Sequence, residues 1–395
     1  MNVRTAIPRY RPLEGPALFR QGFRPFFLAA GLWGAAAVPL WLLVLVGGWE
    51  VPTAFTPLTW HAHEMIFGFG AAVVAGFLLT AIPNWTGRLP LQGLPLAGLF
   101  AAWVAGRLAV TFSNILGAGL AAALDLSFLV LLLLVALREI AAGRNWRNLP
   151  MLLALAVLIA ANGLTHLEAL GRADTATMGA RLSIATLVLL ISLVGGRIIP
   201  SFTRNWLAKR SSTSLPVPFA GFDKVCLAAT FLAFVGWVLA AEHLFTGLGL
   251  LAAGALQFAR LSRWQGRQTL SEPLVWSLHL GYLWVPLGLL LLGFGIVAPS
   301  ILAPTAGLHA LTVGAIGGMT LAVMTRATLG HSGRELTADR WTAAIYTAIA
   351  AATVSRVAAS VLPDLNLHLL CLSAIAWVVA FGLFAAIYGR IHLSR

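Results

Sequence analysis

The chain has 395 residues, of which 59 % are hydrophobic and 10 % charged, with a mean hydropathy of +0.88. A soluble globular domain carries about 25 % charged residues, so this chain cannot cover itself with a polar surface, and most of it must face lipid. The formal net charge of +13 does not point to nucleic acid: the basic residues gather in loops, and no basic amphipathic helix or aromatic stacking motif accompanies them.

Residues 1–25 are rich in proline and arginine but lack the apolar core of a cleavable signal, so they read as a cytoplasmic N-terminal segment. A single transmembrane domain over residues 26–390 follows. A span needs about 20 apolar residues, and the sequence predicts twelve: 26–48, 62–82, 95–113, 117–137, 149–170, 178–198, 219–240, 245–261, 273–296, 305–326, 341–360 and 366–388. Each is expected to be a helix, because an isolated strand cannot satisfy its backbone in lipid.

The second span opens on Trp60-His61-Ala62-His63-Glu64-Met65-Ile66-Phe67-Gly68. Ionisable groups at the end of a span are costly to keep and mark functional candidates. Histidine is the side chain best suited to haem iron or copper. His61 and His63 are two residues apart, about 200° on a helix, so they cannot chelate one ion from a regular helix. They serve two centres, or one ligates while the other only caps or hydrogen-bonds. Glu64 can orient a histidine through its second nitrogen, carry a proton, or simply complement the helix N-terminus.

The third span holds Arg107, which must be paired or hydrated; Asp125 on the fourth is the expected partner. The fifth carries Asn162-Gly163-Leu164-Thr165-His166-Leu167-Glu168, placing His166 and Glu168 near the depth of His61 and His63. The sixth ends in Gly195-Gly196-Arg197-Ile198-Ile199-Pro200, where Arg197 either grips an anionic cofactor group or anchors the helix at the inner face. In the ninth, His279 lies one turn before Tyr282, where Pro286 removes a backbone hydrogen bond and a kink is expected. The tenth runs from His309 to His331, about 33 Å along an ideal helix, so these two cannot share an ion.

Lysine and arginine set the orientation. With the N-terminus inside, 22 of the 26 basic residues fall on the cytoplasmic side, leaving Arg107, Arg172, Arg181 and Arg356; both termini are therefore expected inside. His61, His63, His166 and His309 then share the outer depth, and His279 and His331 lie toward the inner side. His63 is followed five residues later by Gly68, and His309 five residues later by Gly314. Their helices would be equivalent if the twelve were three repeats of four, and small residues there leave room for close helix approach or a flat cofactor. Cys226 and Cys371 form no CxxC and fall near opposite faces, so no disulfide is expected. No Walker A loop, dinucleotide fingerprint or Ser-His-Asp signature is present.

The blocks WHAHEMIFGF, GGRIIPSFTRN, LHLGYLWVPLGLLLLG and GLHALTVGAIGGMTLAVMTRATLGHSGR resemble the NnrS family, from about Phe23 to the last span. The resemblance implies a bacterial inner-membrane protein of twelve helices that contains haem and copper and is linked to denitrification and nitrosative stress from nitric oxide. It marks His61, His63, His166, His279, His309 and His331 as metal-ligand positions without saying which ion each holds. A looser architectural likeness to haem-copper oxidases and nitric oxide reductases places haem-ligating histidines on the second and tenth helices. This chain lacks the adjacent histidine pair of their seventh helix, and a three-histidine copper site is in doubt.

These readings converge on an all-α integral membrane bundle that holds haem b and copper and binds or reduces nitric oxide. His63 and His309 are the expected haem ligands, with Arg197 a further cofactor contact. His61 with His166 would form a second outer centre, and His279 with His331 an inner one. Reduction of nitric oxide would need two electrons and two protons per pair of molecules, with quinol as donor and Glu64 or Glu168 as the proton route. The other reading is a non-catalytic transporter or haem-based sensor, which would use the same histidines as a pathway or a reporting site.

Overall fold

The computed structural model describes residues 15–394. The earlier part of the N-terminal segment, with Arg4, Arg9 and Arg11, lies outside the described residues, as does Arg395. Twelve helices are long and apolar enough to cross a membrane: α1 Phe23–Leu45, α2 Pro57–Thr86, α3 Leu94–Thr111, α4 Ala118–Ala142, α5 Trp146–Ala169, α6 Ala176–Ala208, α7 Gly221–Leu239, α8 Leu244–Ser262, α9 Pro273–Val297, α10 Thr305–His331, α11 Arg340–Ala359 and α12 Pro363–Leu393. The fold is the expected all-α membrane bundle.

Several helices start or stop away from the hydropathy boundaries, for local reasons. α2 begins five residues before the expected 62, because Pro57 is preset for the first helical position and the Thr56 side chain accepts a hydrogen bond from the Thr59 amide. The two histidines therefore sit inside the first two turns of α2. α6 continues ten residues beyond 198, because Ile199, Thr203 and Leu207 recur at helical spacing and bury one face of a polar extension. Pro286 lies inside a continuous α9.

Three helices occupy the centre. α2, α6 and α10 have 72 %, 56 % and 61 % of their most apolar stretch buried, and no other helix exceeds 50 %. They touch one another; around them α3, α4 and α5 pack in series, α7, α8 and α9 pack in series, and α11 and α12 lead back to α1. The central helices are four apart in sequence and share a further feature: each contains a π-helical segment, Glu64–Gly70, Ile191–Gly195 and Ala310–Gly317. A π segment inserts one residue into an α-helix and is frequent at functional sites. The recurrence at four-helix spacing supports the three-repeat reading. The glycines within and beside two of these segments hold no open slot: Trp33 packs on Gly68, Trp284 on Gly314 and Trp377 on Gly317.

Candidate functional site

The first two turns of α2 present His61 and His63 to opposite sides, as their spacing requires. His63 faces the arc of α3, α4 and α5. Its Nδ1 lies 3.1 Å from Glu64 Oε1, and its Nε2 lies 3.1 Å from Asp125 Oδ2 and 2.9 Å from Asn162 Oδ1. Arg107 Nη1 donates to Glu64 Oε1 at 2.6 Å, and its Nη2 donates to Asp125 Oδ1. The expected Arg107–Asp125 pair is thus present. Asn162 Nδ2 (2.7 Å) and His166 Nε2 (3.0 Å) also donate to Asp125 Oδ2. Asp125 on α4 therefore collects contacts from α2, α3 and α5, and all six side chains are buried.

Glycine and aromatic residues complete the setting. A methyl group at Gly106 would sit 3.0 Å from Asp125 Oδ1 and 3.1 Å from its Cα, so a larger residue there would press on Asp125 by a few tenths of an ångström. Phe55, in the connection before α2, stacks on His63 at 5.1 Å and meets His166 edge-on at 5.3 Å. Phe67 packs on His63 from one helical turn below. This apolar lining lowers the local dielectric and makes an unbalanced charge expensive.

The hydrogen bonds fix the charge balance. Both ring nitrogens of His63 face oxygen acceptors, an arrangement that suits a ring protonated at both. Glu64 and Asp125 contribute two negative charges, Arg107 and His63 two positive ones, and the cluster is neutral. Ligand atoms of His63, Asp125 and His166 lie within 4.8 Å of one another, a set able to hold a metal ion. A bound cation would displace the His63 proton.

His61 points the other way. Its ring stacks on Trp41 of α1 at 4.7 Å, and its Nδ1 is buried with no hydrogen-bond partner among the described residues. It lies within electrostatic range of His309 on α10 and of Arg356 on α11, and those two are within range of each other. His309 Nδ1 donates to Thr305 O at 2.8 Å, which fixes the tautomer and leaves the Nε2 lone pair as the ligand atom. Arg356 bonds Ser360 Oγ at 3.1 Å and has no carboxylate partner among the described residues. The grouping differs from the sequence expectation: His63 meets His166 at 5.4 Å between ring centroids, and His61 lies on the opposite side of α2, toward α1 and His309. Spacing shows that the two α2 rings diverge, but which neighbours each meets depends on how α2 is rotated in the bundle.

The remaining candidates lie elsewhere. Glu168 Oε2 accepts the Ala176 amide at 2.8 Å and so caps α6. His279 Nε2 meets Thr203 Oγ1 at 2.8 Å, and its Nδ1 faces Gly266. His331 packs on Phe23 of α1, so these two rings rest against different helices. Arg197 is exposed in the second half of α6, just after its π segment. Sequence reasoning gave Asp125 a role only as a partner for Arg107, and overlooked Phe55 and the role of Asn162. The signal for Asp125 was available, since it is the sole acid in the apolar part of its span.

Helices, burial and site together define a multi-pass, all-α membrane protein with a neutral histidine–carboxylate–arginine cluster sealed near one face. The chain matches the family described as NnrS protein over residues 17–395, nearly its whole length, and belongs to that family. Its association with nitric oxide stress and with metal or haem binding comes at the level of the family. No curated protein matches the chain.

Proposed function

We propose that this is a haem- and copper-binding protein of the bacterial inner membrane that binds nitric oxide, or reduces it with electrons from quinol, and so relieves nitrosative stress. The observation that carries the reading is the division of the outer histidines into two groups on opposite sides of α2, one with carboxylates and one without.

The carboxylate-free group fits haem b. It offers two imidazoles with uncommitted nitrogens, His61 and His309, and in Arg356 a guanidinium without an acid that suits a propionate. The other group fits copper: two imidazoles and a carboxylate are a suitable donor set for Cu(II). Bound there, haem iron and copper would supply redox-active centres that take nitric oxide as a ligand. The chain's own residues have defined tasks around them. Thr305 O holds His309 in one tautomer, Glu64 Oε1 would hold the Nδ1 proton of His63 and leave its Nε2 for the metal, and Phe55 stacks over the His63 ring. Glu64 is the better candidate for proton delivery, because Glu168 is committed to the α6 amide.

A transporter would call for a polar midplane cavity between broken helices. The cavity of about 100 Å³ between α2, α5, α6 and α10 is instead walled by residues such as Val73, Leu187, Ile316 and Met319, and the central helices pass it with π segments but without unwound breaks. That favours a ligand-binding or redox centre. Optical spectra of the purified protein, oxidised, dithionite-reduced and then exposed to nitric oxide, test this alongside metal analysis. A Soret band that shifts with nitric oxide, lost in His309→Ala and in His61→Ala, together with stoichiometric iron and copper, is the expected result. Colourless, metal-free protein from haem-replete cells would retire the proposal in favour of transport.

A further inference from the structure

A cavity of about 310 Å³ lies at the arginine-poor end of the bundle, between α2, α5, α6, α7, α9 and α10. Its walls are chiefly hydrocarbon and aromatic, including Ile66, Phe67, Ile184, Trp237 and Leu292. Arg181 also lines it, from the second turn of α6. Among the described residues Arg181 has no ion pair and no hydrogen bond, and the acids near this face are already engaged. Glu168 caps the Ala176 amide, and Glu64 and Asp125 are bound to Arg107 and His63. His63 reaches the cavity wall too, but both its N–H groups point into the neutral cluster behind it. The hydroxyls of Thr177 and Thr305 are on the wall and donate no hydrogen bond within the described residues.

We infer that this cavity is a binding site for a small monovalent anion, with Arg181 as its counter-charge. The half-buried Arg181 faces a largely apolar chamber, which leaves its charge to be met by water or by an anion, and one guanidinium balances one negative charge. The apolar wall disfavours strongly hydrated or divalent anions, whose lost hydration a single cation and two hydroxyls cannot replace. Weakly hydrated monovalent oxyanions, of which nitrite and nitrate are examples, suit the chamber. At about 30 Å³ per water, it takes such an ion with several waters. The inference needs only Arg181 and the cavity, so it stands or falls independently of the haem and copper reading.

The test is calorimetric titration of nitrite into the full-length protein in nanodiscs of zwitterionic lipid at constant ionic strength, with sulfate as the comparison. Nitrite should bind and sulfate should bind at least about tenfold more weakly. Arg181→Gln should weaken nitrite about tenfold or more, as expected for loss of a charged hydrogen-bond donor, whereas Arg181→Lys should retain most of the affinity. The lysine form keeps the positive charge that the glutamine form loses, and a thermal melt and size-exclusion profile of the glutamine form matching wild type separate loss of the site from loss of the fold. Equal nitrite binding by wild type and the glutamine variant, or none by wild type, overturns the inference. So does nitrite binding that vanishes when anionic phosphatidylglycerol is added to the discs, which would assign Arg181 to a lipid headgroup.

Discussion

Replacing Arg107 by methionine removes the one cation of the cluster that cannot be resupplied. Glu64, Asp125 and a protonated His63 then leave one uncompensated negative charge in a site whose side chains are at most 4 % exposed. Removing one partner of a buried ion pair costs about 3–5 kcal/mol, because the other charge stays behind. Unfolding entropy near 60 °C is roughly 2 cal/mol/K per residue, about 0.8 kcal/mol/K for this chain, so the apparent Tm should fall by about 4–6 °C. Adding Asp125→Asn restores neutrality, with Glu64 balanced by His63. The double variant should therefore recover about 2 kcal/mol relative to the sum of the single losses. Thermal unfolding in detergent, followed by size exclusion or intrinsic fluorescence, measures the cycle. Losses that simply add would refute the account of a cluster held by charge balance. The methionine variant also reports on metal: its net negative site should be stabilised by added Cu(II) more than wild type is.

Three further outcomes follow from single contacts. Gly106→Ala should cost about 1–3 kcal/mol by forcing α3 away from Asp125, and it should weaken metal binding at the cluster; unchanged stability would mean that the helices can part freely. Phe55→Ala should admit water above His63 and speed hydrogen exchange in α2 around residues 61–67, read by mass spectrometry; protection equal to wild type would remove Phe55 as the seal. Asp339 caps α11 by accepting the Thr342 amide at 2.7 Å. Burial pushes its carboxyl up, but hydrogen bonds from Thr342 and Trp341 outweigh that and hold it below its ordinary value. A lowered carboxyl gives stability that is full above its unfolded value near 4 and is lost as pH falls through the lower folded one. Asp339→Ala should therefore cost about 1 kcal/mol at neutral pH, and the gap from wild type should close in melts taken on descending below pH 4.

The number of helices and their composition were legible in the sequence because lipid imposes a single rule on every span. Helix ends were less so: α2 starts at Pro57 and α6 runs on to Ala208 because of capping and one-sided burial, which a hydropathy window averages away. At the site, the sequence led to His61, His63, Glu64, Arg107 and His166, since each breaks an apolar run. What it did not supply was company. That His63 meets Asp125 and Asn162, while His61 meets Trp41 and approaches His309, is decided by the rotation of α2 about its axis. The π segment beginning at Glu64 changes that rotation by one residue, and such segments have no clear signature in residue pattern.

The three-part ring also explains why the outer cluster occurs once. Each arc around a central helix buries a polar network, but the composition and depth differ. In the arc of α6 to α9, Arg260 donates to Asp223 Oδ1 at 2.8 Å, to Ser192 O at 3.0 Å and to Tyr282 Oη at 3.0 Å. In the last arc, Thr325 meets Tyr346, Thr342 meets Tyr388 and Thr328 meets His392, with no carboxylate among them. Arg260 thus plays in the second arc the part Arg107 plays in the first, but it locks the π segment of α6 through the Ser192 carbonyl, and among the described residues no pair of histidines joins its acid. If that lock is structural, it should be rigid. A methyl group at Gly196 would collide with Arg260 Nη2, and the guanidinium cannot withdraw without giving up Asp223 or Ser192. Gly196→Ala should therefore cost about 3–5 kcal/mol, whereas Gly163→Ala on α5, which meets nothing within 4 Å, should be neutral or stabilise by about 0.5–1 kcal/mol. Equal melting temperatures for the two variants would show that Arg260 has room to move, and that the second arc does not hold α6 in the way the first holds α2.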